Sequence, residues 1–168
     1  MMKVNIHEDY LRSLLFGLQD GLVSTTGVVV GITIGVQDKP VIILASLVAV
    51  TVEASSMAAG QYSSEKAVHQ MAGKGKHTDN LIVGATVMFL AYLVAGLIPI
   101  APIVLLEISL APVISMFSSF AALYILGYLK GRMVKHSPMT SGLEMLLIGG
   151  VATTLGIVVG YLLRTMVN

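Results

Sequence analysis

The chain has 168 residues, a formal net charge of +1 and a mean hydropathy of +0.87, with 55% hydrophobic and 11% charged residues. A soluble domain carries about 25% charged residues, so this composition describes an integral membrane protein built as one helical bundle. The near-neutral charge leaves no basic face for nucleic acid, and the absence of cysteine removes disulfides and thiolate metal sites.

Met1 to Tyr10 is polar and reads as a short interfacial helix. Span 1 follows over Leu11–Val36. It is longer than the core of a signal peptide and carries no A-x-A site, so it reads as a retained first span. Gln37-Asp38-Lys39-Pro40 is a turn, with Pro40 suited to the first turn of the next helix. Span 2 covers Val41–Ser64, and a polar connection from Glu65 to Asn80 holds His69 and His77 as solvated loop residues. Span 3 covers Leu81–Pro99, where Pro99 and Pro102 are expected to end or bend it. Span 4 covers Ile108–Leu129 and span 5 covers Ser141–Leu163, with Ser141 and Glu144 in the S-x-x-E pattern of a capping box. The fold class is therefore all-α, with five transmembrane helices.

Five spans put the termini on opposite sides. Lys3, Arg12, Lys66, Lys74, Lys76, Lys130, Arg132 and Lys135 share the side of the amino terminus, against Lys39 and Arg164 on the other. The positive-inside rule then puts the amino terminus in the cytoplasm and the carboxyl terminus outside or in a lumen. An odd number of spans does not divide into two inverted halves. A two-fold site would need two chains, which leads to an expected homodimer with span 1 at its interface.

Asp20 lies nine residues past Leu11, roughly 13 Å along a helix and so near the midplane of a hydrocarbon core about 30 Å thick. A charge there costs about 2.5–3.5 kcal/mol even on the lenient insertion scale. A partner, a bound cation or a proton must offset that cost. At about 100° per residue, Gly17, Ser24, Gly27, Gly31 and Gly35 project to the Asp20 side, a small face suited to helix packing. Leu15, Leu18, Leu22 and Val29 project away from it, toward lipid.

Span 2 carries Glu53, and Glu53, Met57 and Gln61 follow i, i+4, i+8 spacing along one side of the helix. Counted from the same membrane surface, Asp20, Glu53 and Met57 reach a similar depth. Carboxylates suit hard divalent cations, and a thioether tilts the site from Mg²⁺ and Ca²⁺ toward Mn²⁺ and Fe²⁺. Two carboxylates neutralise one divalent ion or take up protons in its absence, the minimum machinery of metal–proton antiport. Gln61 fits equally well as an interhelical hydrogen bonder. Enzyme chemistry lacks its parts: Asp20 is the only Asp within a span and no His lies within one.

RSLLFGLQDG and LVSTTGVVVG, from Arg12 to Gly31, are similar to the first span of the vacuolar iron transporter family. VEASSMAAGQYSS, Val52 to Ser64, resembles its second-span pattern, and GLEMLLIGG its last span. The resemblance covers nearly the whole chain. It implies a five-helix protomer working as a homodimer, with Asp20, Glu53 and Met57 on the path of Fe²⁺ or Mn²⁺ leaving the cytosol in exchange for protons. The metal ion and protons are then substrates, and no cofactor is implied. The chain departs from the pattern at Gln61, where the family has Glu, and in its short Glu65–Asn80 connection, where vacuolar members carry a Glu-rich metal-gathering domain. The compact chain favours a cell membrane over a vacuolar one. The alternative is a non-transporting membrane scaffold, in which the acids only bond between helices.

Overall fold

A computed structural model describes residues 8–72 and 80–167. Among these residues are five helices: α1 Glu8–Gly35, α2 Lys39–Ala72, α3 Leu81–Leu105, α4 Ala111–Met133 and α5 Pro138–Val167. Each is long and apolar enough to cross a membrane, which makes the chain a multi-pass membrane protein. The interfacial helix expected over Met1–Tyr10 lies mostly outside the described residues, and Glu8 to Tyr10 form the first turn of α1. His77 also lies outside them.

α1 is the centre of the bundle and packs against all four other helices. This corrects the outward projection of Leu22 and Val29, which are 3% and 0% exposed. Leu15 and Leu18 are half-buried. A helix wheel assumes one buried side, and a helix surrounded by four neighbours has none that faces only lipid. Small residues bring the backbones together. A Cβ on Gly17 would sit 2.8 Å from the Met88 carbonyl oxygen of α3, and one on Gly21 would collide with the Tyr92 carbonyl. Farther along, a Cβ on Gly31 would sit 2.8 Å from the Gly156 carbonyl of α5. Close backbone approach of this kind substitutes for the hydrophobic driving force that lipid does not supply. Beside this α1–α5 contact runs an apolar groove of about 620 Å³, lined by Ser24, Gly27, Gly31, Gly156 and Leu163 among others.

Several helix ends differ from the expected ones. α3 runs through Pro99 and Pro102 to Leu105, where the Leu106 N–H closes on the Pro102 carbonyl at 2.9 Å. Neither proline ends the helix, and a tightly packed neighbour adds a polar contact beside them: Ser115 of α4 donates to the Pro99 carbonyl at 2.6 Å. α4 begins at Ala111 rather than Ile108, after a turn in which Leu110 and Ala111 both donate to the Glu107 carbonyl. α5 begins at Pro138, a turn before Ser141, with Ser137 accepting from the Thr140 hydroxyl at 3.0 Å. Ser141 is therefore no cap. It is buried within the helix against Gly131, and Glu144 is exposed. A proline just after Ser137 starts the helix early.

α2 is the longest element at 34 residues. It continues past Ser64 to Ala72, so Glu65 and His69 are helical residues, buried and half-buried respectively, rather than parts of a loop. Its main neighbour is α3, with a lighter contact to α1. Leu44, Val48 and Tyr62 are exposed on its outer face.

Candidate metal-ion site

α1, α2 and α3 meet at the level of Glu53. Ser24 of α1 donates its hydroxyl to Glu53 Oε2 at 2.9 Å, and Tyr92 of α3 donates to the same oxygen at 2.5 Å. Tyr92 is 1% exposed, and a buried phenol needs such a partner. Asp20 stands one turn before Ser24 on α1, is half-buried, and lies within electrostatic range of both Glu53 and Tyr92. Among the described residues no side chain donates a hydrogen bond to it. The two acids, on neighbouring helices, are therefore close enough to influence each other electrostatically.

Met57 lies one turn beyond Glu53, half-buried and packed against a cluster that includes Ala54 and Tyr92. Gln61 belongs to a second group. Its side-chain amide donates to Glu65 Oε1 at 3.3 Å, and Glu65 pairs with Arg12 of α1, which also pairs with Asp9 at 3.3 Å. Gln61 is eight residues from Glu53, roughly 12 Å along the helix. The structure thus groups Asp20 with Glu53, keeps Met57 adjacent, and attaches Gln61 to an ion-paired cluster at the helix ends.

Among the described residues, no three His, Cys, Asp or Glu side chains converge. A divalent ion at this level would meet two carboxylates, and its remaining donors would be hydroxyls, a thioether or water. That is a thin ligand set for a resident metal and a reasonable one for an ion in passage. Ser24, Tyr92, Glu65 and Arg12 are the participants that sequence reasoning did not assign. The available signal was a tyrosine hydroxyl in the most apolar span, which must find a partner once buried.

The five membrane-length helices bring Asp20 of α1 and Glu53 of α2 into one bundle. The VIT family model matches residues 11–79 and 69–161, and the chain belongs to this family. Membership places it among membrane transporters of metal ions rather than among enzymes. No curated protein matches the chain.

Proposed function

We propose that the protein is a secondary transporter that moves Fe²⁺ or Mn²⁺ out of the cytosol in exchange for protons. The observation that carries this reading is the shared neighbourhood of Asp20 and Glu53, with Ser24 and Tyr92 bridging α1, α2 and α3 around it. Two charges buried at mid-depth are costly unless something neutralises them. A divalent ion does so in one state and protons do so in the other. Met57 adds a soft donor one turn away, and Gln61 with Glu65 stands on the route from the Arg12 end of the bundle.

The same reading places the amino terminus in the cytosol, because the basic residues gather on that side. It places the protein in the cell membrane and makes it a homodimer. The groove beside α1 offers a second chain an apolar seat next to Ser24. Proteoliposomes loaded with a divalent-ion dye test the transport reading. Mn²⁺ flux is expected to fall to background in Asp20→Asn and in Glu53→Gln, and to respond to an imposed pH gradient in the unmodified protein. Equal flux in the variants would overturn the assignment, and absence of flux in the unmodified protein would favour the scaffold reading.

A further inference from the structure

Glu53 is held in an unusual way for an ion ligand. Both hydroxyls that reach it, from Ser24 and Tyr92, donate to the same oxygen, Oε2. A carboxylate oxygen has two lone pairs, so two donors occupy it fully. Oε1 is the oxygen left to meet an ion. We propose that Tyr92 is a positioning residue that keeps Glu53 a one-oxygen ligand, and that this biases the site against Ca²⁺. The inference rests on the metal-ion transport reading above and adds a residue and a selectivity to it.

The chemistry follows from coordination number. Ca²⁺ takes six to eight oxygens at about 2.3–2.6 Å and often gathers them through bidentate carboxylates. Mn²⁺ and Fe²⁺ are smaller, and the thioether of Met57 suits them better than it suits Ca²⁺. A site with two carboxylates is short of oxygens for Ca²⁺, and sequestering Glu53 Oε2 withholds another. Tyr92 is well placed to enforce this, since its backbone is fixed as well as its ring. Gly21, the residue after Asp20, packs directly on the Tyr92 carbonyl. The ring is 1% exposed within the apolar cluster of Val50, Ala54 and Ile100. The phenol cannot swing away without displacing the α2 and α3 side chains packed around it. One backbone contact therefore sets the spacing between Asp20 and the group that orients Glu53.

Tyr92→Phe removes the hydroxyl and keeps the ring, so packing is preserved. The experiment is Mn²⁺ flux in proteoliposomes of the full chain, titrated with Ca²⁺ as competitor. Tyr92→Phe is expected to make Ca²⁺ inhibition stronger by about tenfold relative to the KM for Mn²⁺, the scale of one hydrogen bond to a charged group. Ser24→Ala removes the other donor to the same oxygen and is expected to shift the ratio in the same direction. An unchanged ratio in either variant overturns the inference, as does a loss of flux with the ratio preserved, which is what a structural role gives. If Tyr92→Phe does not fold, Ser24→Ala decides alone. Unmodified protein that carries no divalent ion overturns the transport reading and this inference with it. Unmodified protein that carries Mn²⁺, with the variants' Ca²⁺ sensitivity unchanged, overturns this inference only.

Discussion

α1 and α2 carry Asp20 and Glu53 respectively, and the two helices are held in opposite ways. α1 is enclosed by the other four helices, with glycines seating it on α3 and α5. α2 leans on α3, touches α1 lightly, and leaves Leu44, Leu47, Val48 and Val52 on an exposed face. Its one glycine, Gly60, has nothing within 4 Å of where a Cβ would be. Polar tethers locate α2 instead. Lys39 Nζ donates to the Leu106 carbonyl at 2.9 Å at one end, Glu53 accepts from Ser24 and Tyr92 in the middle, and Glu65 pairs with Arg12 toward the other end. Backbone contact fixes α1, and side-chain bonds fix α2. Contacts of the second kind are exchangeable, so on the proposed transport reading the helix that carries Glu53 is the one an ion would reset.

The sharpest way to break this comparison is to widen the α1–α3 contact. Gly21→Ala places a methyl against the Tyr92 carbonyl and is expected to destabilise the bundle by about 1–3 kcal/mol or more, read as a lower unfolding temperature in detergent. Gly60→Ala on α2 meets open space and is expected to leave stability unchanged or raise it by about 0.5–1 kcal/mol. A comparable loss at both positions would erase the distinction. Next in size is Ser115→Ala, which removes the hydroxyl on the Pro99 carbonyl. A cost of about 1 kcal/mol is expected, measured by chemical denaturation.

The smallest effect sharpens the α2 side. Arg12 is 60% exposed in its side chain and pairs with a Glu65 side chain only 11% exposed. Exposed pairs contribute about 0–1 kcal/mol and weaken with salt. Arg12→Ala is expected to cost about that much at low ionic strength. The difference from unmodified protein should shrink as salt is raised. A salt-independent loss would mean that Arg12 acts through packing and not through the tether.

Much of the architecture was legible because lipid imposes it. Apolar runs near the length of a bilayer marked all five helices. The surroundings of α1 were not legible, since in a membrane the protein-facing and lipid-facing sides are both apolar and the periodic signal is weak. Leu22 and Val29 look like lipid-facing residues for that reason. Pro99 and Pro102 look like ends because a proline removes a helical hydrogen bond, yet α3 carries both inside one continuous helix packed on α4. Ser141 and Glu144 matched a cap motif locally, but Ser137 and Pro138 had already started the helix. Tyr92 carries no charge, so the pattern of acids and bases does not mark the hydroxyl that Glu53 recruits.

The length of α2 has a mechanical meaning. Its 34 residues span about 51 Å, some 20 Å more than a hydrocarbon core. Ala72 stands about 28 Å beyond Glu53 along the axis. Pivoting α2 about Glu53 by about 10° would sweep that tip through about 5 Å. A sub-ångström rearrangement of oxygens deep in the bilayer would thus be broadcast to the water as the swing of a rod.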